Sequence, residues 1–281
     1  MQGSIKTFCI IGDPIQHSLS PGMQNAAFAA LGLNCTYIAF RVPANELKES
    51  IESLRNINIA GFNVTVPHKV EVMKHLDELD ASAKKAAAVN TVNNIEGIFR
   101  GYNTDIDGFI EPLHGRHVDF SGTRVLLLGA GGAARAVMAG ISQESGVAKV
   151  IIANRDMRKA DELAKIGTGL GLKCETLPLE KVQDVSPECD LIVNATTLGL
   201  NNERSVINQE HIKKGSIVYD IVYRPIVTDL IENAKYAQAT VVYGYEMLIE
   251  QGAKAFEIWT GLPAPREAMK KNLLGIFGEP V

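Results

Sequence analysis

The sequence predicts an α/β protein in two domains, an N-terminal βα domain with a mostly parallel sheet and a second parallel-sheet domain, with a cleft between them. Three observations carry this expectation. At 281 residues the chain exceeds the usual size of one hydrophobic core. Up to about Thr104, short apolar runs alternate with helix-period segments, the pattern of βα units. Further on, the all-apolar strand RVLLL runs into a glycine-rich turn and an alanine-rich helix.

The elements follow in chain order. FCIIG, TYIAFRV and FNVTV read as strands, and MQNAAFAALG, NELKESIESLRN and KVEVMKHL read as the helices between them. The first of these helices has its own start signal, Ser20 as cap and Pro21 at the first helical position. Pro67 is expected to open the third, which puts Lys69 in its first turn. TVNNIEGIFRGYNTD, with Asn and Gly at its turn, reads as a hairpin, and GFIEPLHG as a short helix. KVIIANRD, CDLIVNATTLGL and GSIVYDIVY continue the second domain as buried parallel strands. YEMLIEQGAKAFEIWTG and REAMKKNLLGIF are helical by period.

Composition narrows the function. Lys+Arg 28 against Asp+Glu 32 gives a net charge of -4. No dense basic run tracks a phosphodiester backbone, so nucleic acid is not an expected partner. The apolar stretch near the amino terminus is broken by Asp13 and Pro14, too short for a signal peptide, and no later run reaches bilayer length. A cytoplasmic protein is expected. Cys9, Cys35, Cys174 and Cys189 form no C-x-x-C pair and the histidines no H-E-x-x-H cluster. Buried reduced thiols and metal-free chemistry follow.

Gly129-Ala130-Gly131-Gly132-Ala133-Ala134 fits the G-x-G-x-x-A dinucleotide fingerprint between a strand and a helix, as a Rossmann-like unit requires. Glycines allow the tight turn and close backbone approach, and the helix start receives a pyrophosphate. At the end of the next strand Asn154-Arg155 stands where an NAD site offers an acid to the ribose. The Arg155 guanidinium, with Arg158 and Lys159 nearby, suits the 2′-phosphate of NADP. Asp156 opposes that phosphate and leaves NAD open.

Hydride transfer at a secondary alcohol needs a group to exchange the hydroxyl proton. None of the seven tyrosines has a lysine four residues later, and the zinc route lacks ligands. Lys69 is the remaining candidate. Burial and a helix start would favour its neutral form, and a nearby carboxylate the charged one, a balance suited to an acid/base group.

HSLSP, GFNVTVPHK, AAAVNTV, GYNTDIDG, GAGGAARA, NRD, NATTLGL, DIVYRP and GYEMLIEQGAKAFEIWTG, in this order, resemble the shikimate dehydrogenase (shikimate/quinate dehydrogenase) family over nearly the whole chain. The resemblance implies an NAD(P)-dependent oxidoreductase that reversibly reduces 3-dehydroshikimate to shikimate with NADP, on the route to chorismate and the aromatic amino acids. It implies Lys69 and Asp105 as the catalytic pair, and Ser18 and Ser20 on the substrate carboxylate with Tyr223 nearby. Asn63, Thr65, Asn90 and Gln251 are implied on the ring hydroxyls. Thr196, Ile221, Gly244 and Met247 join the cofactor positions. Because Gln251 must reach the substrate, the expected borders are 1–104 plus 245–281 for the substrate domain and 105–244 for the dinucleotide domain.

Three positions depart from the family pattern: His68 stands where phenylalanine is frequent, Asp156 where a small hydroxyl residue is, and Ile221 where methionine is. The alternatives are a quinate or dual quinate/shikimate dehydrogenase using NAD, against which Ser20 argues, and a non-catalytic ligand sensor, against which Lys69 and Asp105 argue. The partner expected is the small-molecule substrate, with no membrane, in a monomer or homodimer.

Overall fold

Strand pairing in the computed structural model, which describes residues 5–278, gives two six-stranded sheets. The chain divides into two compact units, one of residues up to Gly108 and from Ile249 on, the other Phe109–Leu248. These divisions fall four residues beyond the borders read from the sequence, 108 against 104 and 248 against 244.

The first unit begins with β1 (Lys6–Gly12), α1 (Ser20–Ala30), β2 (Cys35–Arg41), α2 (Leu47–Asn56) and β3 (Gly61–Val64). Then come β4 (Glu78–Leu79), α3 (Ala81–Ala86), β5 (Thr91–Ile95), β6 (Ile98–Tyr102) and the start of α4 (Asp105–His114). The sheet order is β2-β1-β3-β5-β6-β4, with β1 parallel to β2 and β3, and β5 antiparallel to β3 and β6. α2 buries Leu47, Ile51 and Leu54, spaced to share one helical face. The hairpin turn puts Glu96 at φ 53 and Gly97 at φ 91, the two positive values a two-residue turn needs to match strand twist. Phe62, Val64, Val89, Val92 and Phe99 centre the core.

The helix expected from Pro67 does not form. A turn closed by the His68 amide on the Thr65 carbonyl at 3.0 Å carries the chain to a short 3₁₀ segment, Glu71–His75. Of that segment only Val72 is buried, so KVEVMKHL has too narrow an apolar face to hold an α-helix. Ser20 is also not the α1 cap: Leu19 holds that position and no side chain caps the helix.

The second unit holds β7 (Arg124–Leu128), α5 (Gly132–Ile141), β8 (Lys149–Asn154), α6 (Met157–Gly169), β9 (Cys174–Pro178) and α7 (Val182–Val185). β10 (Leu191–Asn194), β11 (Ile217–Asp220), α8 (Asp229–Tyr236) and β12 (Thr240–Tyr243) complete it, and all its strands are parallel in the order β12-β11-β10-β7-β8-β9. Alternate residues of one strand serve two cores: Val125 and Leu127 pack with α5, Leu126 and Leu128 with Val182 and Leu230. That double covering is why RVLLL is apolar throughout. α9 (Gly244–Thr260) and α10 (Arg266–Phe277) are the last elements among the described residues.

Cys9 and Cys189 are buried, and burial pushes their thiols up to about 12 and about 11. Cys35 and Cys174 are only half-buried, contrary to the expectation that all four are inside. Among the described residues no helix is long and apolar enough to cross a membrane.

Candidate active site

In the first unit the register of three strands gathers the polar residues. Asn63 of β3 faces Thr91 of β5, and Thr91 faces Tyr102 of β6, so the end of β3, the start of β5 and the end of β6 form one row. Lys69 follows β3, Asn90 precedes β5 and Asp105 opens α4 just after β6. Residues far apart in sequence thus meet at one sheet end.

Lys69 Nζ donates to Asp105 Oδ2 at 2.6 Å, with side-chain exposures of 15% and 6%. The other carboxylate oxygen accepts from Asn90 Nδ2 at 2.8 Å, so both oxygens of Asp105 are engaged in this network. The Lys69 carbonyl accepts from the Val89 amide at 2.7 Å, which ties the turn to the residue before Asn90. The helix-start effect on Lys69 therefore falls away, and the carboxylate is its partner. Asn90 Nδ2 also reaches Thr104 Oγ1 at 2.9 Å and Gln251 Oε1 at 3.5 Å, and its Oδ1 accepts from the Thr104 amide at 2.7 Å.

Asn63 has spent its donors. Its Nδ2 gives to the Asn90 carbonyl at 3.0 Å and Thr91 Oγ1 at 2.9 Å, while Oδ1 accepts from the buried Tyr37 hydroxyl at 2.6 Å. A ligand could meet only its remaining acceptor capacity. Ser18 Oγ accepts from the Ser20 amide at 3.4 Å. The Ser20 hydroxyl, relieved of capping, has no protein partner among the described residues. Thr65 is half-buried and packs on Gly12, where an added Cβ would stand 2.4 Å from its methyl. His68 is buried and donates from Nε2 to the Val42 carbonyl at 2.7 Å, a structural duty.

The second unit builds its candidate site from backbone. Gly129 has φ +104, and a Cβ there would sit 2.8 Å from the Ala195 carbonyl, so glycine is required twice over. Gly131 caps α5 with no side-chain bond and no acidic residue in the first turn, and its missing Cβ faces open space. Thr196 packs on Gly129. Gly244 closes on the post-β11 loop, where a Cβ would meet the Ile221 carbonyl at 2.5 Å. Met247 joins the core beside this end, and Ile221 packs against the same core. Tyr223 is half-buried, and burial raises its hydroxyl above the usual tyrosine range.

At the end of β8, Asn154 Nδ2 donates to the Asp156 carbonyl at 2.8 Å. Asp156 caps α6 by accepting from the Arg158 amide at 3.1 Å and lies 3.5 Å from the Arg158 guanidinium. Arg155 and Lys159 are exposed and make no ion pair among the described residues.

Thr91, Thr104 and Tyr37 belong to the first network yet have no counterpart among the site residues read from the sequence. The repeated Asn-Thr doublets, Asn90-Thr91 and Asn103-Thr104 at the paired ends of antiparallel strands, are the available signal. Gln24, fully buried, holds the Gly252 carbonyl beside Gln251 at 2.8 Å.

A parallel sheet ending in a glycine turn and an uncapped helix start, joined in one chain to a part-buried lysine–aspartate pair, defines a nicotinamide-dinucleotide-linked oxidoreductase. Residues 10–92 match the shikimate dehydrogenase substrate binding domain, 113–232 the shikimate / quinate 5-dehydrogenase family and 244–274 the shikimate 5'-dehydrogenase C-terminal domain. The chain belongs to the shikimate dehydrogenase family. It is 50% identical over 272 residues to a shikimate dehydrogenase (NADP(+)) of Nitrosopumilus maritimus, covering 97% of this chain and 99% of that one. Among solved structures, a shikimate dehydrogenase in complex with NADP+ is 39% identical with a TM-score of 0.89, covering 97% and 96%. The Thermus thermophilus enzyme in complex with NADP(H) and shikimate is 36% identical with a TM-score of 0.84, covering 95% and 98%.

The dinucleotide this family implies fits the residues present. The α5 start has amides that no side chain occupies, and Gly131 leaves clear space above them.

Proposed function

We propose that the chain catalyses the reversible NADP-linked reduction of 3-dehydroshikimate to shikimate, in the cytosol. One observation carries the reading: a lysine ammonium 2.6 Å from a nearly buried carboxylate, inside a polar network, in a chain half identical to an NADP-linked shikimate dehydrogenase. Bound NADPH would supply the hydride. Lys69 gives its proton to the oxygen of the ring carbonyl as that oxygen gains charge, and in the reverse direction takes the proton of the hydroxyl. Asp105 holds the ammonium in place, and Asn90 holds Asp105.

The roles around the ring follow from what each side chain has left to offer. The unpartnered Ser20 hydroxyl, with Ser18 beside it, can donate to a substrate carboxylate. Asn63, whose amide hydrogens already point at protein acceptors, acts mainly by accepting from a ring hydroxyl, whereas Asn90, whose Oδ1 already accepts from the Thr104 amide and the Thr91 hydroxyl, meets a ring hydroxyl only by trading one of its present bonds. Thr65 and Gln251 complete the ring contacts, and Tyr223 serves the carboxylate. In the second unit the fingerprint amides from Gly129 to Ala133 take the pyrophosphate. Arg155, flanked by Arg158 and Lys159, takes the 2′-phosphate. Asp156 opposes that phosphate less than its charge suggests, because its carboxylate is engaged as a helix cap.

The test is oxidation of shikimate or quinate with NADP+ or NAD+ by the purified chain, followed by absorbance of the reduced nicotinamide. Turnover highest with shikimate and NADP+ is expected. Faster turnover of quinate with NAD+ would replace the reading by a quinate dehydrogenase, and shikimate binding without turnover would make the chain a sensor.

A further inference from the structure

Asp220 is a carboxylate with 0% exposure at the last position of β11, and the proton path does not use it. No lysine, arginine or histidine pairs with it among the described residues; three uncharged donors hold it instead. Its Oδ1 accepts from Asn194 Nδ2 at 2.9 Å and from the Val222 amide at 3.0 Å, and its Oδ2 accepts from Thr228 Oγ1 at 2.6 Å. Burying an acid without a cation is costly, so its retention calls for a duty other than stability.

The bonds trace that duty outward in two directions. Asn194 ends β10, and besides Asp220 its Nδ2 reaches the Leu198 carbonyl at 3.0 Å. Its Oδ1 accepts from both the amide and the hydroxyl of Thr196, at 3.1 and 2.6 Å. Thr196 and Ala195 in turn lie against Gly129, the first glycine of the fingerprint, where a Cβ would stand 3.0 Å from the Thr196 methyl. On the other side, Val222 lies in the loop whose carbonyls crowd Gly244, and Thr228 caps α8 by accepting from the Ile231 amide at 3.3 Å. One carboxylate therefore links the loop that walls the glycine turn to the loop that carries Ile221 and Tyr223.

We infer that Asp220 is a positioning residue for the dinucleotide, a clamp that sets the 195–198 and 221–228 loops in one geometry through Asn194 and Thr228. The inference rests on the cofactor role proposed above for the second unit. A charged acceptor suits this duty because it takes three donors at once, with bonds stronger than a neutral group makes. An asparagine would keep the two donors at Oδ1 but place an NH₂ against Thr228, turning that hydroxyl out of its bond.

The test is Asp220→Asn, close in shape and uncharged, read in two ways. Hydrogen exchange of the full chain without ligand is expected to show the amides of Thr196, Leu198 and Val222 exchanging about tenfold faster, a local change of roughly one 1.4 kcal/mol step, while the β7 and β8 amides keep wild-type protection. Steady-state kinetics are expected to show the KM for NADP+ rising about tenfold with the KM for shikimate unchanged. Wild-type exchange at the three amides overturns the clamp. Faster exchange throughout the unit, with both KM values rising together, also overturns it, by reducing Asp220 to a fold stabiliser. The exchange measurement needs no turnover, so an inactive wild-type chain would sink the proposed function and leave the clamp to be judged by its amides.

Discussion

The two units build their sites from different materials. In the first, Lys69, Asp105, Asn90, Asn63 and Tyr37 are side chains from four separate stretches, brought together by strand register. In the second, the essential features are backbone: a glycine at φ +104, an uncapped helix start, and a glycine that lets α9 close on the post-β11 loop. Chemistry on a ring needs donors and acceptors of chosen type, which only side chains supply. Holding a pyrophosphate needs amides and clearance, which side chains would obstruct. Substitutions should accordingly act on turnover in the first unit and on cofactor affinity in the second.

The largest effect tests the side-chain half. Lys69→Ala is expected to lower kcat by about a hundredfold or more while shifting the KM for shikimate far less, because the proposed role sets the ammonium on the oxygen that gains charge in the transition state. Purified variant and wild type compared at saturating NADP+ decide it. If kcat and KM move alike, Lys69 only binds.

Asp220 provides a pH test of the second unit. Burial pushes its carboxyl up to about 6, above the roughly 3.9 of an unfolded chain. The folded state therefore binds the proton more tightly, so this stabilising contribution is complete below about pH 4 and is lost as pH rises through 6. Two pH units correspond to about 3 kcal/mol. Urea unfolding of wild type and Asp220→Asn at pH 4.5 and 7.5 covers the upper part of that window and is expected to show the wild type losing about 2 kcal/mol relative to the variant as pH rises. A gap that stays constant would mean that the carboxylate does not titrate in the fold.

Two substitutions sharpen the backbone reading. Gly131 has φ -88 and room for a Cβ, so Gly131→Ala is expected to leave the melting temperature unchanged and weaken NADP+ by about an order of magnitude. Equal binding by the variant, measured by titration calorimetry, would show that the dinucleotide does not approach there. Arg155→Ala is expected to weaken NADP+ about tenfold and spare NAD+. Equal loss of both would remove the phosphate assignment.

Much of this is legible in the sequence because covered strands and glycine turns leave local marks. FCIIG, RVLLL and LIVN are apolar since both faces of their sheets are covered, and GAGGAA lies between strand and helix. The strands that lack such a mark, β4, β9 and β12, all lie at sheet edges, where exposed and half-exposed residues break the apolar run. Pro67 misleads for another reason: proline suits a turn as well as a helix start, and only the Thr65–His68 bond distinguishes them. Ser18 and Ser20 can be singled out from HSLSP, but the freedom of the Ser20 hydroxyl depends on Leu19 being the cap. Asp220 and Tyr37 leave no local signature at all, since their partners are known only once β10 lies beside β11 and the first sheet has its register.

Tyr37 gives the smallest and most discriminating prediction. Its hydroxyl is buried and donates to Asn63 Oδ1 at 2.6 Å, and its ring lies 5.9 Å from that of Trp259. Tyr37→Phe keeps the ring packing and removes one hydrogen bond, leaving Asn63 Oδ1 without this donor, a loss of about 1 kcal/mol in urea unfolding. Two donor bonds still orient the Asn63 amide, to Asn90 and Thr91, so turnover is expected to stay near wild type. That outcome would show the Lys69–Asp105 arrangement holding independently of its outermost support. A fall in kcat comparable to that of Lys69→Ala, with stability intact, would instead place the Tyr37 hydroxyl in the chemistry and make the polar network one unit rather than a pair with scaffolding.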